Sequence, residues 1–302
     1  MTSSIVKYGG LSTSVILIGV SGSFFILVWA IFSLLIGEGK YILGPELLVD
    51  FILFPFIVLA YHAIILAGIL YDARKLPPFI IDRSYLKRNG AFLLLYGLGV
   101  VLFAIGHGLH WGGNIINLNA LQFGVKEPFP DFYNNIWVID EIWGHWVMLA
   151  GVWILVSLAG VLNLKNPSMR IPTRNEKYIG LMVAVLVAIA WIPLALEAEY
   201  GFWGLGISLF VIVTFGLRLT GERRKKIELS GNSEHNIPLT AKYRFIWLLL
   251  IFSLVSLIGL ILLYLLLGGT FRQPSELGVW QYLRELVRGI VRDLGILRAP
   301  FI

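Results

Sequence analysis

Residues 106–148 read GHGLHWGGNIINLNALQFGVKEPFPDFYNNIWVIDEIWGHWVM, and the interpretation of the whole chain depends on this stretch. It ends one apolar segment with His107 and His110 and begins the next with Asp140, Glu141 and His145. Titratable side chains are costly inside hydrocarbon and usually have a function there. The stretch therefore indicates a membrane-embedded functional site.

The composition predicts an all-α polytopic membrane protein. Of 302 residues, 58% are hydrophobic and only 14% are charged, whereas a soluble domain needs more charge on its surface. A membrane-spanning helix needs roughly 20 apolar residues, and helices satisfy the backbone hydrogen bonds within lipid. Seven segments meet this requirement approximately, so we predict a bundle of seven transmembrane helices. The segments are 11–36, 51–71, 90–112, 136–163, 178–196, 201–218 and 245–267.

The basic residues predict the orientation of the chain in the cell membrane. Sixteen Lys and Arg lie in the connections at 74–88, 165–177 and 218–244, whereas the opposite connections carry only Lys40 and Lys126. Cytoplasmic loops carry the excess of Lys and Arg, so we expect a cytoplasmic N-terminus and an extracytoplasmic C-terminus. The net charge of +6 then reflects topology, and no nucleic-acid partner is expected.

The sequence divides into a seven-helix transmembrane domain at 1–268 and an extracytoplasmic tail at 269–302. In the tail, apolar and basic residues alternate with helical spacing, which predicts an amphipathic helix. Such a helix lies on the membrane surface or binds another subunit, so membrane lipids and a partner subunit are the expected partners. The apolar series is Leu277, Trp280, Leu283, Val287 and Ile290, and the basic series is Arg284, Arg288 and Arg292.

Cysteine is absent, which excludes disulfides, Cys-ligated zinc, iron–sulfur clusters and thiol catalysis. Histidine and carboxylate remain as metal ligands. The chain also contains only three glutamines, and the scarcity of both residue types favours a thermophilic source.

Four of the five histidines fall within the predicted spans and form the first hypothesis for the site. They are His62, His107, His110 and His145. Imidazole and carboxylate are ligands of zinc and iron, and catalytic sites use about three protein ligands. We therefore expect a divalent transition metal, zinc or iron, held by three of these histidines, with Glu141 or Asp140 as the proton shuttle. The predicted function is that of a metal-dependent hydrolase or oxidoreductase acting on a lipid-soluble substrate near the outer leaflet.

A second hypothesis is electron transfer. At 1.5 Å per residue, His62 and His145 lie at similar estimated depths, roughly 16 and 13 Å from the outer surface. They would be the axial ligands of a b-type haem that passes electrons to quinone, with glycines making room for the ring. The glycines are Gly68, Gly106, Gly108 and Gly144.

Three alternatives need no metal: a polar site that handles protons or substrate, a purely structural polar network, and a non-catalytic accessory subunit of a membrane complex. Two local expectations accompany all of them. Residues 113–135 are predicted to form the longest outer loop, and long loops often serve as a lid or a binding segment. Asp140, Asn114 or Tyr96 is expected to hydrogen-bond a histidine of the site.

Overall fold

A computed structural model describes residues 54–73, 83–122, 124, 128–169, 171–197, 201–229 and 237–271, and these residues contain helices and connections but no strand. The helices are α1 (Phe54–Asp72), α2 (Arg83–Gln122), α3 (Pro130–Trp137), α4 (His145–Lys165), α5 (Arg174–Glu197), α6 (Gly201–Leu229), α7 (Leu239–Lys242) and α8 (Arg244–Leu266). A π-helical segment, Val138–Gly144, joins α3 to α4. The predicted first span and the predicted amphipathic helix lie outside the described residues.

Five helical stretches in the described part are long and apolar enough to cross a membrane. They are Asn89–Asn117, Pro130–Lys165, Arg174–Pro193, Gly201–Arg224 and Arg244–Leu266. The all-helical class is thereby confirmed for the described residues, and five of the predicted spans lie on helices that could cross a membrane. The predicted span at 51–71 forms α1, but its apolar run, Val58–Leu70, is shorter than the other five.

The predicted outer loop at 113–135 is wrong in its described parts. Helix α2 continues to Gln122, and α3 begins at Pro130. Residues 114–122 contain neither Gly nor Pro to stop a helix, so the asparagines there do not end it. Pro130 suits the first position of a helix, where its missing N–H is not needed.

Helix α4 lies at the centre of the described bundle and packs against α1, α2 and α8. Helix α8 packs in turn against α5 and α6. A buried apolar cluster joins the two sets of helices. It consists of Leu149 and Trp153 from α4, Val211, Phe215 and Leu219 from α6, Ile246 and Leu249 from α8, and Tyr243.

Buried polar groups fix one end of this bundle. Glu176 and Thr173 form a reciprocal capping box at the start of α5, with Thr173 N donating to Glu176 Oε2 at 2.7 Å and Glu176 N donating to Thr173 Oγ1 at 3.3 Å. Arg244 Nη2 donates to the Glu176 carbonyl at 3.0 Å. The start of α5 is therefore attached directly to the start of α8.

The closest helix contact runs between α2 and the helix formed by the π segment and α4. The paired positions, in antiparallel order, are Gly99 with Leu155, Phe103 with Gly151, Gly106 with Met148, His110 with Gly144, and Gly113 with Asp140. One member of every pair is a glycine, and we call these five glycines the glycine seam. A Cβ atom on Gly106 would lie 2.6 Å from Cα of Met148, and one on Gly144 would lie 2.6 Å from the backbone N of His110. The two helices are thus in backbone contact.

Gly106→Ala is expected to destabilise the protein, because the added methyl group would push α2 away from the backbone of α4. Overpacking of this kind costs about 1–3 kcal/mol in the free energy of unfolding. The matched control is Gly108→Ala in the same helix, where a Cβ meets no atom within 4 Å. Thermal unfolding midpoints of the purified proteins in one detergent measure the difference. Equal midpoints for the two variants would contradict the backbone contact at Gly106.

Candidate functional site

The π segment places Asp140 opposite Gly113, the last glycine of the glycine seam in α2. From His110 to Gly113, α2 advances three residues, whereas the facing helix takes four residues from Gly144 to Asp140. The additional residue lies within the π segment, whose turns are wider than those of an α-helix. If the pairing seen from Gly99–Leu155 to His110–Gly144 continued without an additional residue, Glu141 would face Gly113. Asp140 takes that position instead and is almost completely buried, with 1% of its side chain exposed.

The buried Asp140 carboxyl is paired with His110. Nδ1 of His110 lies 2.7 Å from Oδ1 of Asp140. At this distance Nδ1 and Oδ1 form an ion-pair contact, and we place the proton on Nδ1 of His110, where the carboxylate attracts it. A buried carboxylate needs such a partner, since an isolated charge away from water is very costly.

His145 is held by the backbone of the same π segment. Its Nδ1 lies 2.8 Å from the carbonyl oxygen of Glu141 and 3.6 Å from Oε2 of that residue. In a regular α-helix the backbone N–H of His145 would bond to the Glu141 carbonyl, but here it bonds to Ile142 O. A carbonyl oxygen only accepts hydrogen bonds, so Nδ1 of His145 carries the proton.

The two imidazoles lie against each other. The ring centroids of His110 and His145 are 4.2 Å apart, with 38° between the ring planes. Both side chains remain partly exposed, at 26% for His110 and 13% for His145, and Glu141 is 25% exposed. Because Nδ1 is engaged in both neutral rings, Nε2 is the nitrogen with an unshared lone pair in each. The result is a pair of hydrogen-bond acceptors beside a buried carboxylate.

His62 lies elsewhere. Its Nε2 donates to the carbonyl of Leu155 at 2.8 Å, and its ring stacks on Tyr96 with centroids 5.6 Å apart. Leu155 follows His145 by ten residues in α4, which corresponds to about 15 Å along the helix. The estimate that placed His62 and His145 at equal depth is therefore wrong. It counted residues from the predicted ends of two separate helices, and those ends do not lie at the same level.

His107 is buried and lies one helical turn from His110 in α2. Its ring is nearly parallel to that of Phe103, at 9°, with centroids 6.1 Å apart. Direct contacts join four of the six predicted site residues. They are His110, Asp140, Glu141 and His145.

The arrangement of the described residues does not fit a three-ligand metal site, because no group of three or more His, Asp or Glu side chains among them is arranged to hold an ion. It does not fit a haem held by His62 and His145 either, since His62 contacts Leu155, which lies about 15 Å from His145 along α4. Gly106 and Gly144, which were expected to make room for a haem ring, contact the backbone of the opposite helix.

Two features of the site were not predicted from the sequence. One is the contact between the imidazoles of His110 and His145, and the other is the π segment. The glycines offered a signal for the first, because Gly99, Gly106 and Gly113 recur every seven residues, as do Gly144 and Gly151. This period marks one face of each helix and so predicts a close contact. The expectation that Asp140 partners a histidine agrees with its contact to His110.

Comparison with known proteins adds no family: no family model, no curated protein and no solved structure matches this chain.

The hydrogen bonds predict opposite tautomers for His145 and His62. His145 is expected to carry its proton on Nδ1 and His62 on Nε2, because each of these nitrogens contacts a carbonyl. Nitrogen NMR of the protein labelled with ¹⁵N-histidine, at a pH where the rings are neutral, distinguishes the two forms. Single His→Gln variants assign the five signals. Finding the same tautomer at both residues would contradict the described contacts.

Asp140→Leu should reverse the tautomer of His110 while leaving that of His145 unchanged. Leucine is close to aspartate in size but has no acceptor, so nothing holds the proton of the neutral ring on Nδ1, and Nε2 becomes the protonated nitrogen. The same spectrum records both residues. Asp131→Leu is the matched control, because Asp131 is an exposed residue of α3. An unchanged His110 signal in Asp140→Leu would show that the 2.7 Å contact does not determine its tautomer.

Proposed function

We propose that this chain is a multi-pass integral membrane protein that performs acid–base chemistry on a lipid-soluble molecule at His110 and His145. The observation that carries the proposal is the 2.7 Å contact between His110 and the buried Asp140, next to the ring of His145. The proposed topology has a cytoplasmic N-terminus and places this site toward the outer leaflet.

The proposed chemistry follows from what each group can do. Nε2 of His110 or His145 accepts a proton from the substrate and later returns it, as a general base and then a general acid. Asp140 stabilises the imidazolium that forms on His110, because the carboxylate lies directly beside Nδ1. The main-chain carbonyl of Glu141 holds His145 in the required orientation. Asp140 thus supports His110 through its carboxylate, and Glu141 supports His145 through its main-chain carbonyl.

The surroundings of the site support an apolar substrate. Ile139 and Trp143 of the π segment, and Leu109 next to His110, are large exposed apolar residues. In a membrane, such side chains face lipid, so a molecule dissolved in the bilayer reaches the neighbourhood of the two rings without entering water. The partly exposed imidazoles give this molecule a polar contact.

This proposal differs from the metal-dependent enzyme expected from the sequence, because every step uses side chains and main-chain atoms of the chain itself. The reason for the change is the placement of the histidines. The imidazoles of His110 and His145 contact each other, and their Nδ1 atoms are already engaged by Asp140 and Glu141.

The experiment is conversion of extracted membrane lipids by the full chain reconstituted in lipid nanodiscs. Mass spectrometry identifies any component of the host's lipid extract that the wild-type protein consumes. His110→Ala and His145→Ala are expected to reduce its rate of conversion by about 100-fold or more, the usual contribution of a general acid or base. Unfolding midpoints confirm that the variants remain folded.

His235→Ala is the control variant, since His235 belongs to a polar segment of the sequence outside the described residues. It is expected to retain wild-type conversion. Addition of 1,10-phenanthroline distinguishes the two enzyme classes: conversion that survives the chelator supports acid–base chemistry by the chain. Loss that zinc or iron reverses would overturn the proposal in favour of a metal-dependent enzyme, and equal rates in all variants would remove the site from the reaction.

A further inference from the structure

We infer that the site binds neutral, lipid-soluble molecules that carry a hydroxyl group, and that this O–H donates a hydrogen bond to Nε2 of His145 or His110. The inference rests on the proposed function and names its substrate class. It follows from which atoms of the two rings are already engaged.

His145 is held in one tautomer by the backbone. Its Nδ1 is 2.8 Å from the Glu141 carbonyl, which has no proton to give. The ring is therefore an N–H donor at Nδ1, and in its neutral form it is an acceptor at Nε2. This assignment does not depend on the protonation of any carboxyl group.

His110 is held in the matching state by Asp140. Its Nδ1 lies 2.7 Å from Oδ1 of Asp140, whose side chain is 1% exposed and so has little access to solvent. With that proton on Nδ1, the neutral His110 ring also presents an acceptor at Nε2. The two rings lie 4.2 Å apart, so the acceptors belong to one small site.

The ligand that complements two acceptors is a hydrogen-bond donor. Two acceptors side by side leave each lone pair in need of a donor, and an unmade hydrogen bond in an apolar surrounding costs about 1–3 kcal/mol. A hydroxyl supplies that donor, whereas a ketone or an ether supplies only another acceptor. Recognition by a donor–acceptor match discriminates strongly between such molecules, because the mismatched ligand leaves the polar groups of the site unpaired.

The charges of the site favour a neutral ligand. With both rings neutral, the described site offers no cation to an anionic ligand, and the buried carboxylate of Asp140 repels one. The exposed neighbours Leu109, Ile139 and Trp143 are apolar. A neutral molecule with a hydrocarbon body and a hydroxyl, such as an alkylphenol, matches both properties.

The experiment uses three probes with similar alkyl chains: 4-nonylphenol as the donor, 4-nonylanisole as its methylated counterpart, and 2-undecanone as an acceptor. Each is titrated into the full-length protein, labelled with ¹⁵N-histidine, in lipid nanodiscs. Nonylphenol is expected to shift the Nε2 resonances of His145 and His110 saturably, and the other two probes are expected to leave them unchanged. His62 should not respond, because its Nε2 is engaged by Leu155 and its side chain is only 4% exposed.

The Asp140→Leu variant provides an internal control. When the proton of His110 moves to Nε2, the response of His110 to nonylphenol should disappear, while that of His145 remains. Equal shifts with nonylanisole, shifts with the ketone alone, or no shift with nonylphenol would each overturn the inference. If extracted lipids are converted in a His145-dependent way but nonylphenol produces no shift, only the substrate class fails. If both responses are absent, the proposed function fails with it.

Discussion

The backbone contact between α2 and the helix that contains the π segment is the constraint on which the candidate site depends. At each paired position one of the two helices contributes a glycine. The helices therefore cannot separate or slide by one residue without losing this backbone contact. In a membrane, where burial of apolar surface gives no net advantage over lipid, close packing of small residues is a main source of helix association. The same contact sets His110 opposite Gly144 and brings its ring to the following residue, His145.

Asp140 and Glu141 are neighbours in sequence, yet the π segment gives them different environments. Asp140 is in the helix contact beside His110, whereas the side chain of Glu141 remains partly exposed and its carbonyl engages His145. Two carboxyl groups in different surroundings suit different roles, since burial and partners determine their acidity. The regular part of α4 then continues into the bundle and connects the site to the cluster around Trp153.

Much of the fold could be predicted from composition and hydrophobic length, because a membrane imposes simple rules on both. The spans that include His110, His145, Pro193, Ser208 and Ser253 all appear within helices at the expected places. The end of α2 could not be predicted in this way, since Asn114 and Asn117 are compatible with a loop and with a helix end that extends beyond the bilayer. Four of the residues expected for the site, His110, Asp140, Glu141 and His145, are in contact across two helices. Counting residues from helix ends could not reveal that one helix contains an additional residue or that His62 contacts α4 at Leu155.

The π segment also bears on how such a site can arise. A helix that gains one residue between two firmly packed regions can absorb it as a widened turn, so the packing on either side is preserved. Here the paired positions from Gly99–Leu155 to His110–Gly144 follow one register, and an offset of one residue appears only at Asp140. One residue added between Asp140 and Gly144 is absorbed in this way, so both residues keep their partners in α2 while the Glu141 carbonyl is left to contact Nδ1 of His145. The local widening therefore changes which backbone oxygen a side chain can reach without changing how the two helices pack.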